Sequence, residues 1–187
     1  VLRNGLRKIP EIMLQPEIID LDHIEGDKNA SITLVEYGDY ECPSCGDVYP
    51  IIKSIQKRMG HRLRFIFRNF PLIEIHPNAF MAAMATEAAA RQNLFWPMHD
   101  ILFNNQDQIN YSDILDYAEK IGLDTHTFSK DMENETLIQK VEGDLESGKE
   151  SGVRGTPSFF INGEKYDGDW SEHDLYNTLR AVELSIP

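Results

Sequence analysis

Residues 37–46 read YGDYECPSCG and hold both cysteines of the chain, Cys42 and Cys45, with Asp39, Glu41 and Asp47 close by in sequence. Such a pair can be half of a metal site, a structural staple or a redox centre. A structural zinc site takes four ligands and usually shows a second paired cluster. The chain has no second CxxC, and His76 and His99 are far apart with no ligand spacing between them. A disulfide from Cys42 to Cys45 closes so small a loop that it constrains little of the unfolded chain. Redox chemistry fits the surroundings better. The stretch "SITLVEYGD" (31–39) is β-branched and ends on Gly-Asp, the pattern of a short buried strand running into a turn. After the cysteines, Val48, Ile51, Ile52, Ile55 and Met59 recur at helical spacing, and Gly60 stands where a helix stops. A strand exit followed by a helix start puts Cys42 where free N–H groups and the helix dipole stabilise a thiolate. Cys42 is therefore the expected nucleophile. Cys45, one turn inside the helix, is shielded and close enough to attack a mixed disulfide on Cys42.

Composition narrows the remaining classes. A chain of 187 residues holds one packed core, with room for an inserted subdomain. The formal net charge of -13 opposes binding to phosphate backbones and anionic lipid surfaces, so no nucleic-acid partner is expected. No apolar run approaches the roughly 18 to 20 residues that cross a bilayer, and "VLRNGLRKIPEIMLQPEIID" lacks the apolar region of a signal peptide. The chain reads as a soluble one, which is compatible with a mature exported protein. Two cysteines cannot supply a disulfide framework, so stability must come from burial.

The pattern divides the chain into an N-terminal arm at 1–30 and a domain at 31–187. "RLRFIFRNFP" (62–71) reads as a second strand. From about 77 to 150 the helical pattern dominates, with Pro77, Asp124 and Gly122 at start and stop positions. "TPSFFINGEKYDG" is a hairpin with an Asn162-Gly163 turn of type I′. Ser171 and Asp174 then open a last helix. The order strand, helix, strand, helical block, hairpin, helix predicts an α/β domain in which the hairpin extends a parallel strand pair. Phe95 and Trp96 read as core aromatics, and His76 as a loop or helix-start histidine.

Taken together, "YECPSC" after a short apolar strand, Pro50 five residues beyond Cys45, the helical block between two halves of the core, and "GVRGTPSFFINGEKYDG" resemble the DsbA-like thiol-disulfide oxidoreductases of the thioredoxin-fold superfamily. The resemblance covers about residues 31–183. It implies a thioredoxin fold with an all-helical insertion between the strand-helix-strand half and the hairpin-helix half. It also implies a cis peptide at Thr156-Pro157 beside the cysteines, active-site support from Pro43 and Ser44, and an acidic residue, Glu36, beneath the site as proton acceptor for Cys45. Strand periodicity alone leaves open which face Glu36 takes. The implied reaction is exchange of a Cys42–Cys45 disulfide with protein thiols, more often as an oxidase acting on exported proteins in the periplasm or another extracytoplasmic space. No metal or organic cofactor is expected, a monomer is expected, and a quinone-linked membrane protein is the implied recycling partner. The same fold also serves as a reductase or redox sensor, including cytoplasmic domains fused to transporters, and as a non-catalytic binding or chaperone module. No histidine lies between the cysteines and several acids surround them, so the Cys42 pKa is expected below that of free cysteine and above that of the most acidic oxidases.

Overall fold

The computed structural model describes residues 12–186. Strands β1 (His23–Gly26), β2 (Ile32–Gly38), β3 (Leu63–Asn69), β4 (Ser158–Ile161) and β5 (Glu164–Tyr166) form one sheet in the order β1-β3-β2-β4-β5. Every residue of β2 is buried, as a central strand covered on both faces must be. It pairs parallel with β3, while the β1–β3, β2–β4 and β4–β5 pairs are antiparallel. A parallel pair needs a long crossover, and helix α1 (Pro43–Met59) supplies it.

Helix α1 begins where the cysteines stand for reasons visible in its residues. Cys42 is its N-cap in an extended conformation, and Pro43 follows in the first turn, where its fixed φ suits the helix and its missing N–H loses no bond. Val48, Ile52, Ile55 and Met59 are its buried stripe. Gly60, at φ 58°, ends it in a conformation that costs other residues strain.

Five helices lie between β3 and β4: α2 (Ala79–Ala90), α3 (Phe95–Phe103), α4 (Tyr111–Lys120), α5 (Thr125–Asp131) and α6 (Glu135–Glu150). The Ala-rich α2 is buried through most of its length, and its small side chains let α3 and α6 pack closely against it. Asn110, Asp124 and Asn134 cap α4, α5 and α6 by accepting hydrogen bonds from first-turn N–H groups. At the hairpin Asn162 and Gly163 both have positive φ (48° and 88°), as the type I′ turn requires. Helix α7 (Glu172–Ser185), capped by Ser171, buries Leu175 and Leu179 and packs on α1.

The two faces of β2 bury different sets. Leu34 joins the larger cluster with Cys42, Cys45, α1 and the insertion, whereas Val35 and Tyr37 join a smaller cluster with Leu14, Ile66, Phe70 and Phe160. Glu36 is therefore on the Leu34 side, the side of the cysteines, because strand side chains alternate.

Of the segment expected as an arm at 1–30, residues 1–11 lie outside the described residues, and parts of 12–30 pair with the sheet. Strand β1 forms one sheet edge, and Met13 bridges Glu164 beyond β5 at the other. The reason β1 escapes sequence reading is that HIEG carries one aliphatic side chain and no alternation, so its pairing is fixed by tertiary partners. Chief among these is Arg68. Its fully buried guanidinium donates two hydrogen bonds of 2.8 Å to Asp22, one of 2.9 Å to the Tyr37 hydroxyl, and others to the Pro16 and Glu17 carbonyls. The Arg68 and Asp22 side chains are 1% and 0% exposed. Removing one partner strands a buried charge. Asp22→Ala should thus lower the unfolding free energy in urea by about 3 to 5 kcal/mol; a loss under about 1 kcal/mol, the range of an exposed pair, would contradict the clamp.

Candidate active site

The two cysteines approach to 3.7 Å as free thiols at the N-terminus of α1. The Cys42 thiol donates toward the Thr156 carbonyl at 3.4 Å, from the loop that leads into β4. The Thr156-Pro157 peptide is cis. Thr156 Oγ1 is buried and has no hydrogen-bond partner among the described residues, which leaves its hydroxyl free to donate once the Cys42 sulfur is ionised.

These surroundings favour that ionisation. The Cys42 pKa is pushed down to about 5, first by a hydrogen bond from the Cys45 thiol, against the opposing effect of burial. Thr156 and the N–H groups of Cys45 and Ser44 add to the stabilisation. Ser44 thus acts through its backbone, and Pro43, which has no N–H, acts by starting the helix. Cys45 is moved the other way. Burial raises its pKa well above the ordinary thiol value, and donation to Cys42 and the negative charge of Glu36 raise it further. Glu36 is 3% exposed, in register with Phe67 on β3 and Phe159 on β4. Its pKa is pushed up to about 8, mainly by burial and then by the Cys42 charge. At neutral pH the resting dithiol site therefore holds one thiolate, one thiol and a largely protonated carboxyl.

A search against family models matches residues 20–181 to the family described as Thioredoxin. The chain belongs to this thioredoxin family. Solved structures share this thioredoxin-type fold. BdbD of Bacillus subtilis in its oxidised form is 25% identical, with a TM-score of 0.75 over 86% of this chain and 91% of that one. A thioredoxin-like oxidoreductase of Silicibacter pomeroyi, at 23% identity, shares the fold with a TM-score of 0.79 over 88% of this chain and 94% of that one. Among curated relatives, the Na(+)/H(+) antiporter NhaA 3 of Salinispora tropica is 38% identical over 173 residues, 92% of this chain and 26% of that protein. This thioredoxin-like chain spans about a quarter of the length of the curated relatives it matches. Among its described residues no helix is long and apolar enough to cross a membrane.

Two acids of the opening motif act differently from what their sequence position suggests. The buried Asp39 carboxylate accepts from the Glu41 and Leu72 N–H groups (2.8 and 2.9 Å) and contacts the His76 ring at 2.8 Å. Glu41 accepts from the Asn78 backbone and side chain. Both tie the segment before Cys42 to the loop between β3 and α2. Phe95 is buried and stacks on His23, and the Trp96 indole N–H donates to the Ile24 carbonyl, so both are packing residues of the insertion. Sequence reasoning missed Gln106, whose side-chain amide reaches the active-site segment from the turn after α3.

Glu36 sets a pH dependence of stability. Below its unfolded value of 4.5 the carboxyl is protonated in both states; above it the unfolded chain ionises while the folded one holds its proton to about 8. Folding thus becomes less favourable by about 1.4 kcal/mol per pH unit over that window. For the reduced protein in urea, Glu36→Gln should gain about 3 kcal/mol on the wild type between pH 4.5 and 7. Parallel pH profiles of the two proteins would show that Glu36 ionises freely in the fold.

Proposed function

We propose that this chain is a protein disulfide oxidoreductase in which Cys42 and Cys45 exchange a disulfide with protein thiols, acting as an oxidase on exported proteins. The observation that carries this reading is the split between two thiols of one site, Cys42 lowered to about 5 and Cys45 raised. In the oxidising direction a substrate thiolate attacks Cys42 Sγ of the disulfide, and the S–S bond breaks with Cys45 leaving as thiolate. Glu36 supplies the proton that Cys45 then takes up, and recovers it when Cys45 is deprotonated in the reverse step. A charge-coupled base suits this exchange. While Cys42 is tied in a mixed disulfide its negative charge is gone, and so is the part of the Glu36 shift that charge causes. A second substrate thiolate attacks the substrate sulfur, completes the substrate disulfide and releases Cys42 as the stabilised thiolate. That stabilisation favours the reduced enzyme and hence the oxidising direction. The cis Thr156-Pro157 edge offers backbone groups against which an extended substrate segment aligns beside Cys42. Regeneration of the disulfide falls to a membrane redox partner, and the site chemistry suits an extracytoplasmic compartment.

A second reading rests on the antiporter relatives, of which a chain like this is about a quarter. Under it, the same redox pair serves as a sensor or reductase domain of a longer transporter. Immunoblotting of the native gene product separates the two: a band near the size of this chain supports the first reading, and one about four times larger the second.

For the first reading, the oxidised chain mixed with a reduced, unfolded protein substrate should form substrate disulfides, as followed by acid quench and thiol alkylation. Cys42→Ser should fall to the uncatalysed rate, and reduced Cys45→Ala, given a protein disulfide, should accumulate a mixed disulfide through Cys42. Undiminished substrate oxidation by Cys42→Ser would overturn the assignment.

A further inference from the structure

Gln106 lies 64 positions beyond Cys42, in the turn that follows α3, yet its carboxamide is built into the active-site segment. Its Nε2 donates to the carbonyl of Tyr40 at 2.9 Å and to that of Cys42 at 2.9 Å. The Cys42 carbonyl also accepts the first helical hydrogen bond of α1, from Gly46 N–H at 3.1 Å. One side chain of the insertion therefore holds the last turn before the helix and the helix N-cap together.

Gly46 makes room for it. A Cβ built on Gly46 would overlap the Gln106 carboxamide, both its oxygen and its carbon. Gly46 lies inside α1, with no turn or positive φ of its own to need glycine, and glycine there weakens the helix by about 1 kcal/mol against alanine. Close approach of a side chain from another element accounts for that choice of residue.

We propose that Gln106, seated in the space left by Gly46, is the positioning residue that holds Cys42 in the N-cap geometry on which its thiolate depends. This rests on the reading of Cys42 as the nucleophile. The physical link is direct. The thiolate draws on the Cys45 thiol and on the N–H groups of Ser44 and Cys45, all within the first turn of α1. Those donors converge on the sulfur only while the Cys42 backbone is fixed relative to that turn, and the Gln106 amide fixes it by taking up the Tyr40 and Cys42 carbonyls. The charged and titratable neighbours of the sulfur, Cys45 on α1 and Glu36 on β2, are untouched by a change at 106. The insertion thus takes part in tuning the redox pair through the backbone carbonyls on either side of Glu41.

The test is thiolate absorbance of the reduced protein as a function of pH, with circular dichroism to show that each variant is folded. Wild type should show a step near pH 5 that Cys42→Ser lacks. Gln106→Ala should move that step up by about one pH unit, the effect of one lost hydrogen bond. Gln106→Met keeps the volume and removes both donors, so it should shift the step as far as alanine does; a step left at the wild-type pH would reduce Gln106 to a space filler and overturn the proposal. Gly46→Ala should shift the step upward by displacing the amide. Combined with Gln106→Ala it should add nothing further, since the new methyl enters space already empty, and additive shifts would contradict the shared mechanism. A Cys42→Ser-sensitive step that stays in place in Gln106→Ala refutes the positioning role alone. Absence of any such step in the wild type refutes the nucleophile assignment and this proposal with it.

Discussion

The hydrogen bond from the Cys45 thiol to the Cys42 sulfur contributes more to the Cys42 thiolate than any other group, and it works only because Cys45 keeps its proton. Burial enforces that: Cys45 is fully buried in the main core, where a second thiolate is disfavoured by lost hydration and by the Cys42 charge, and by Glu36 as well once that carboxyl ionises. The asymmetry between two identical side chains is thus a consequence of one helical turn of depth. Whatever fixes the start of α1 fixes the chemistry as well.

Much of the fold can be understood as fixing that start. Strand β2 delivers the chain to the motif, and its all-buried residues leave it one position in the sheet. Asp39 and Glu41 bind the turn to the loop between β3 and α2, Gln106 binds it to the insertion, and the Thr156 loop closes it from the β4 side. Glu36 lies beneath, on the strand face that alternation gives to the cysteines. Four separate parts of the sequence therefore converge on two residues, which is what preorganised exchange chemistry requires.

The parts legible in the sequence are those governed by short-range rules. Pro43 after an extended Cys42, the apolar stripe from Val48 to Met59, the Asn162-Gly163 turn and the caps at Asp124 and Ser171 all express local backbone physics, and each appears where the pattern puts it. The illegible parts are those set by tertiary partners. HIEG has no strand pattern, and only Arg68, Asp22 and the edge of β3 make it β1. The face taken by Glu36 follows from the cluster that joins Leu34 to the cysteines, which strand alternation by itself does not specify. Spacing along the chain likewise does not reveal that Asp39 and Glu41 are engaged by backbone N–H groups of the loop between β3 and α2. Gln106 leaves no sequence signal except an otherwise unexplained glycine at position 46.

The reduced site is stabilised through the Cys42 thiolate, and the equilibrium of the Cys42–Cys45 pair with a glutathione buffer measures that stabilisation directly. With Cys42 near 5, between the most acidic oxidases at about 3.5 and thioredoxin at about 7, the potential should fall between about -120 and -270 mV. A potential at or below about -270 mV would mean that the thiolate is not favoured, and would contradict it.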